Sequence, residues 1–478
     1  MKISHPLFLA LSLAAFAIAI PATHAQTPAP VKEKPEASVR HERILGVVVT
    51  APDADRTMKV RLPNGTVERV RIAKNAYLHT LRGHDERQRR LDPAGPEFFQ
   101  PGMMVSATGL VYSDTEELLA KEVTFLGDPA RTPLIEDADW WSSQAKELAD
   151  FWVRTQFGTG EIGDASGYRT DITKTGTKRP ETINLQESAT IARLIYGLSS
   201  TYIINGNPRV LQAAAALVKY QRERLKVESP DGKYVYWYHA LRDGKPILPS
   251  LFNEDAGTIP LYEQIYCLAG LTQYYRVTGD PVVLSDIEKT VRFMDDFFWD
   301  WSAKEPLMQG YFSHIHPGTF SPADTTELNR LKKNWNSVGD HLPAYLENLY
   351  LGTRDPKYLK RLTELGTLIS EHFPDSASPF VFERFDSQWK PDLTYSWQQN
   401  RGVVGHNLKI AWCLTRLYHL TGNPRFLEVA KKCGDEMIIH GQDGRRGGWY
   451  DVVERVADPK TGRHELAWHD RKIGRAHV

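Results

Sequence analysis

Four ionisable side chains stand in apolar stretches of this sequence, where burial is costly unless each has a partner or a task. His406 opens the run VVGHNLKIAWCL (residues 403–414) directly after Gly405, and Lys409 follows it by three. Near a helix start, free backbone N–H groups and the helix dipole favour a neutral imidazole. A neutral imidazole is a competent general base near pH 7. The simpler role for His406 is a cap or a packing contact. His341, in NSVGDHLPAYLENLY, opens another apolar run one repeat earlier and could converge with His406 on one ligand. Arg193 lies inside QESATIARLIYGL. A guanidinium there either holds a ligand oxygen or forms a structural ion pair, for which Glu187 is the nearest candidate.

Aromatic residues supply the second kind of chemistry. Tyr311 (QGYFSHI), Trp449 and Tyr450 (DGRRGGWYDVV) fall in segments with strand character, and their faces would suit the apolar face of a sugar ring. Hairpin packing is the alternative for each. His314 and His316 alternate without accompanying carboxylates, and neither a phosphate loop nor a Gly-x-Ser-x-Gly element occurs. The expectation is a site with no metal and no cofactor.

The elements that must position these residues repeat. TYIINGNPRVL, YYRVTGDPVVL, LYLGTRDPKYL and LYHLTGNPRFL place prolines at 208, 281, 356 and 424, a period of roughly 70 residues. In each copy a glycine (arginine in the third) ends one helix, Asn or Asp caps the next, and proline takes its first position. The helix before each joint is the more apolar. Long helices are expected at 140–157, 184–204, 208–225, 258–278, 281–299, 341–353, 356–372, 405–421 and 424–439. Between repeats run KYVYWYHAL, MQGYFSHI, SPFVFERF and RGGWYDVV. Inner helix, joint, outer helix and a hairpin crossing one mouth make a mainly α (α/α)6 barrel. Nine helices are too few to close that ring. Polar residues at the starts of inner helices would face the mouth, which is where a ligand binds.

The rest of the chain frames this domain. Residues 1–25 have a basic start, a short apolar run and a small-x-small end, the pattern of a secretory signal, so the protein is expected to be secreted or periplasmic. Residues 26–40 read as a flexible leader, 41–128 as a small β-barrel of oligonucleotide/oligosaccharide-binding shape, and 135–472 as the α/α domain. The last six residues, IGRAHV, match a reading frame of a common sequencing-adapter oligonucleotide. The natural protein is therefore expected to continue past Arg471, with 473–478 a non-native tail. Lys+Arg and Asp+Glu are both 59 among 478 residues. With no net field to steer polyanions, neither nucleic acid nor an anionic membrane is an expected partner. The three cysteines, Cys267, Cys413 and Cys433, are too few and too apolar in setting for a disulfide framework. Oligomeric state is left open.

Arg193, LYEQIYCLAGLTQYYRVTGDP, His341 and GHNLKIAWCL with the downstream GQDGRRGGWY resemble the N-acylglucosamine 2-epimerase family, which includes cellobiose 2-epimerases and mannose isomerases. The resemblance runs from about Asp137 to Lys472 and implies an (α/α)6 barrel with an added β domain. It also implies cofactor-independent epimerisation, or aldose–ketose isomerisation, of a mono- or oligosaccharide. A histidine moves the proton beside the sugar carbonyl through an enediolate. His406 corresponds to that histidine, His341 to a second that binds substrate and assists, and Arg193 to the group that holds the charged oxygen. Position 409 is Lys where the family has a glutamate that orients the histidine and raises its basicity, and position 344 is Ala where a second glutamate is expected. Asn336 stands five residues before His341 rather than four. A lysine at 409 would depress the His406 pKa and could bind a carboxylate, which hints at an acidic sugar; a solvated lysine is the plainer role. The family's second catalytic histidine would follow AWHDRK, so the chain is expected to lack half its acid–base pair and to be inactive. Two other readings stay open. One is a glycoside hydrolase or polysaccharide lyase, using carboxylates such as Asp340, Glu187 or Asp451. The other is a non-catalytic glycan-binding protein.

Overall fold

The computed structural model describes residues 39–80, 95–112, 115, 117–127, 138–173, 176–178, 184–249, 254–394, 401–443, 448–460, 462 and 464. The expected signal, the leader up to residue 38 and the expected non-native tail lie outside these residues.

Alternating apolar residues in the first part form five strands: β1 (Val39–Thr50), β2 (Thr57–Arg61), β3 (Val67–Thr80), β4 (Met104–Tyr112) and β5 (Leu118–Gly127). They close into a barrel in the order β1-β2-β3-β5-β4, with only the β3–β5 pairing parallel. Ile44, Val48, Met58, Val60, Val70, Ile72, Val105 and Val123 fill the interior. Closure removes the exposed strand edges that would otherwise template aggregation. The expected small barrel is present.

The α/α domain begins with α1 (Trp140–Phe157), followed by α2 (Ser188–Asn205), α3 (Pro208–Tyr220), α4 (Leu261–Thr278) and α5 (Pro281–Phe297). Next come α6 (Trp335–Val338), α7 (Glu347–Thr353), α8 (Pro356–His372), α9 (Val404–Thr421) and α10 (Pro424–His440). A π-turn over Leu342–Leu346 bridges α6 to α7, so these pieces act as one inner helix. The four joints have the expected chemistry. Gly206, Gly279, Arg354 and Gly422 adopt left-handed backbone at φ 67, 66, 58 and 72°. The side chains of Asn207, Asp280, Asp355 and Asn423 then accept hydrogen bonds from the backbone at the start of α3, α5, α8 and α10. Each such cap is worth about 1 kcal/mol.

Inner helices α2, α4, α6–α7 and α9 pack through one continuous apolar core. The approach of α2 to α4 depends on Gly270, where a Cβ would lie 2.3 Å from the Ala192 carbonyl oxygen. Deeper polar clamps tie the inner helices in sequence: Arg276 to Asn348 at 2.7 Å, and Arg416 to Glu347 at 2.9 Å. The third inner helix starts six residues before His341, because Asn334 and Ser337 form a capping box around Trp335. The π-turn accommodates Pro343, so the proline does not mark a helix start. Among the described residues no helix is long and apolar enough to cross a membrane.

Candidate active site

Polar side chains of the mouth fall in layers three residues apart along the inner helices. Thr190, Glu263, Ser337 and His406 are each the third residue of α2, α4, α6 and α9. Arg193, Tyr266, Asp340 and Lys409 follow, about 4.5 Å deeper at 1.5 Å of rise per residue. Tyr196, Ala269 and Pro343 come next and, with Arg193, Tyr266 and Ala344, line a cavity of about 220 Å³.

The second layer is a connected network. Lys409 forms an ion pair with the buried Asp340, and its ammonium donates to the Tyr266 hydroxyl at 3.2 Å. Arg193 lies 4.0 Å from the centroid of the Tyr266 ring and donates to the Tyr262 hydroxyl at 2.7 Å. Burial pushes the Tyr266 phenol up to about 12, and the Asp340 charge adds to this, so the phenol stays neutral. Glu187 does not pair with Arg193. It accepts from the Thr190 hydroxyl at 2.9 Å, and Arg193 has no carboxylate partner among the described residues. Among the described residues this cation is met by the two tyrosines and the Ala189 carbonyl, 3.3 Å away, and by no opposite charge.

Four hairpin residues, each directly after an aromatic one, surround this network. His239, Ser313, Glu383 and Asp451 offer their carbonyls to the first N–H of α2, α4, α6 and α9 at 3.0, 2.9, 2.9 and 3.0 Å. Two of them also reach with their side chains to the third residue of the next inner helix. Glu383 Oε2 lies 2.7 Å from His406 Nδ1, and Glu263 Oε1 lies 2.5 Å from His239 Nδ1. Glu383 is 5 % exposed, and its Oε1 has no hydrogen-bond partner among the described residues.

Burial pulls the His406 pKa down, but the Glu383 charge and hydrogen bond, helped by Asp340, outweigh it and leave the pKa raised. This corrects the expectation of a depressed value. Lys409 does act in that direction, as the weakest of these influences. Lys409 is not a free cation for a ligand carboxylate: Asp340 already neutralises it, while its side chain stays 28 % exposed. The structural basis for an acidic sugar is thereby removed.

The remaining predicted residues divide. His341 is wholly buried, stacked on Tyr311 at 4.3 Å, with Nδ1 2.9 Å from the Tyr345 hydroxyl. Burial, with Arg361 nearby, pushes its pKa down to about 3. The expected equivalence with His406 does not hold, because the earlier helix start puts Asp340 into the mouth layer and turns His341 into the core. Tyr311 is also fully buried, its hydroxyl donated to Asp295, and it has no free face for a sugar. Trp449 is 48 % exposed and keeps one. Sequence reasoning missed Glu383, Glu263, His239, Tyr262 and Tyr266. The aromatic-then-X pattern of the hairpins (YH, FS, FE, YD) is the signal that could have found the first and third of these. Among the described residues no group of three or more His, Cys, Asp or Glu is placed to hold a metal.

A family model for N-acylglucosamine 2-epimerase (GlcNAc 2-epimerase) matches residues 167–473. The chain is 20% identical over 200 residues to the cellobiose 2-epimerase of Dictyoglomus turgidum, which takes in 38% of this chain and 46% of that protein. It thus spans about half the length of this curated relative. A solved sugar epimerase from a ruminal bacterium shares the fold at TM-score 0.52 and 15% identity, over 70% of this chain and 79% of that one. A D-mannose isomerase structure aligns at TM-score 0.48 and 18% identity, over 65% and 72% of the two chains.

Proposed function

The chain belongs to the N-acylglucosamine 2-epimerase family, and from that premise we propose that it is a cofactor-independent sugar 2-epimerase or aldose–ketose isomerase whose proton carrier is His406. The observation that supports this reading is the 2.7 Å contact between Glu383 Oε2 and His406 Nδ1 at the mouth. The family's orienting glutamate is missing at position 409, and Glu383 supplies the same function from a neighbouring hairpin. A carboxylate on Nδ1 fixes the tautomer, leaves Nε2 for the substrate and raises its basicity.

Nε2 takes the proton from the carbon beside the sugar carbonyl. The electron pair moves into a carbon–carbon double bond, and charge develops on the carbonyl oxygen. Arg193, a cation without a carboxylate partner among the described residues, is suited to hold that oxygen, work that fixed charge in a water-poor site does well. Return of a proton to the same carbon on its other face gives the epimer; return to the carbonyl carbon, with the neighbouring hydroxyl proton passing to the former carbonyl oxygen, gives the isomer. Sugars approach with their apolar face to an aromatic ring, and Trp449 is the exposed candidate.

Incubating the protein in heavy water with a panel of aldoses, ketoses and β-linked disaccharides tests the reading. Deuterium should appear on the carbon beside the carbonyl, and His406→Asn should abolish this with the fold intact. Absence of exchange with every sugar, or full activity in His406→Asn, refutes it. Release of new reducing ends from a polysaccharide would favour a hydrolase instead. Secretion remains part of the proposal, and recovery of the protein from a periplasmic or extracellular fraction tests it.

A further inference from the structure

A second concave site lies away from the mouth, between the outer helices α5 and α8. It encloses about 450 Å³, against about 220 Å³ for the mouth cavity, and so falls in the range of roughly 300–1,000 Å³ usual for ligand pockets. Val291 and the buried Leu346 give it an apolar lining, and Trp301, just beyond the end of α5, stands at its edge. The Trp301 side chain is 62 % exposed. Its indole is nevertheless fixed, because Nε1 donates to the Asp295 carbonyl at 2.8 Å. An indole held open to solvent beside a pocket offers a ready face to the apolar side of a sugar ring.

The polar groups of this pocket are held in place before any ligand arrives. Arg361 of α8 pairs with Asp295 of α5 at 3.2 Å and with Glu364 at 3.0 Å, and its guanidinium lies 4.1 Å from the centroid of the Trp299 ring. Glu288 accepts from the Lys357 ammonium at 3.0 Å and from the Tyr358 hydroxyl at 3.3 Å. Asp296 accepts from the Tyr234 hydroxyl at 2.8 Å. Lys360 and Arg292 complete the charged lining, which then holds four acids and four bases. With no net field the pocket favours an ion of neither sign, whereas dense donors and acceptors beside an indole suit a neutral polyhydroxy compound. Arg292 is exposed and has no hydrogen-bond or ion-pair partner among the described residues. Its planar fork of N–H donors can meet two neighbouring hydroxyls at once.

We propose that the pocket between α5 and α8 is a saccharide-binding site separate from the mouth. It takes a short stretch of a neutral glycan, with Trp301 against the apolar face of a sugar ring and Arg292 hydrogen-bonded to its hydroxyls. Binding there holds the protein on a polymer and leaves the mouth unoccupied. The pocket shares no residue with the Arg193–Tyr266–Lys409–Asp340 network, so the inference goes beyond the epimerase reading and does not rest on it. Preformed pairs such as Arg361–Asp295 lower the ordering cost of binding, because few side chains have to be immobilised when the glycan docks.

The test is native electrophoresis of the full chain through gels cast with a galactomannan, a mixed-linkage β-glucan or an arabinoxylan, with alginate as the charged comparator. At least one neutral polymer should retard the native protein, and alginate should retard it no more than a polymer-free gel does. Trp301→Ala and Arg292→Ala should each weaken the apparent affinity by about tenfold. Trp301→Phe, which keeps an aromatic face, should retain most of it. His406→Asn should be retarded like the native chain, and exchange of free sugars in heavy water should be unchanged in Trp301→Ala; both results separate this site from the mouth. The proposal is overturned if no neutral polymer retards the native protein, or if alginate retards it most. It is equally overturned if Trp301→Ala and Arg292→Ala, with native melting curves, are retarded as strongly as the native chain. Absence of exchange with every sugar would sink the epimerase reading alone, since retardation is read without turnover.

Discussion

Replacing Glu383 by Gln isolates what the carboxylate contributes to His406. The amide keeps the shape and can still accept from Nδ1–H, but it carries no charge. A hydrogen bond to a charged group is worth about 1.5–3 kcal/mol, and about 1.4 kcal/mol is a factor of ten. The variant should therefore lose roughly 10- to 100-fold in kcat/KM. Its pH profile should also move in a defined direction. In the native protein burial lowers the His406 pKa and Glu383 outweighs it; in the variant, burial and Lys409 act with only Asp340 against them. The base is active when unprotonated, so the acidic limb of the rate profile should shift to lower pH in Glu383→Gln. Stability follows the same linkage. A raised histidine pKa stabilises the fold fully below the ordinary value of 6.5 and loses that effect as pH rises through the raised one. The native-minus-variant difference in urea unfolding should accordingly be larger at pH 5 than at pH 9. An acidic limb that stays in place would refute the assignment of Glu383.

Lys409→Ala should destabilise the protein by about 3–5 kcal/mol, because it leaves the 2 % exposed Asp340 charged and unpaired; adding Asp340→Asn should recover much of the loss in urea titrations. Arg193→Lys keeps the charge but loses the planar stack on Tyr266, and steady-state kinetics should show kcat reduced by about 10²-fold with KM little changed. His341→Phe preserves the ring stacked on Tyr311 and should leave C2 exchange intact, while urea titrations show a loss of about 1–3 kcal/mol because the buried Tyr345 hydroxyl loses its partner. Abolished exchange in a folded His341→Phe protein would return that histidine to the active site.

The helical repeat was readable because its signals are local. Each joint carries its own glycine or arginine, cap and proline within three consecutive positions, and all four joints hold. Arg193, His406 and Lys409 were readable for the same reason, as polar residues interrupting apolar inner helices. Their partners were not, since they come from other repeats: Glu383 is 23 residues from His406, and Asp340 is 69 from Lys409. His341 was misplaced because it stands at the head of the apolar run expected as a helix over 341–353, whereas the helix has already begun at Trp335 and a π-turn continues it through Leu342–Leu346. A shift of one position along a helix turns a side chain by 100°, enough to exchange a mouth residue for a core residue.

Lys409 and Glu383 make most sense as two halves of one rearrangement. A glutamate at 409 would face the buried Asp340 across the space where the ammonium now sits, and two carboxylates so close cannot both stay ionised cheaply. With Asp340 in the second layer, position 409 calls for a cation, and the carboxylate needed by His406 must arrive from elsewhere. Glu383 provides it from above, where its backbone carbonyl already anchors the neighbouring inner helix. The floor then carries Arg193 and Lys409 against Asp340, an excess of one positive charge centred on Arg193. In the proposed reaction an enediolate would bring one negative charge to that spot. Restoring glutamate at position 409 alone should therefore lower activity, because it removes the cation from a floor whose charge balance was built around it. Only the paired change with Asp340→Asn has a route back to a folded site, and a Lys409→Glu single variant as active as the native chain would refute the coupling.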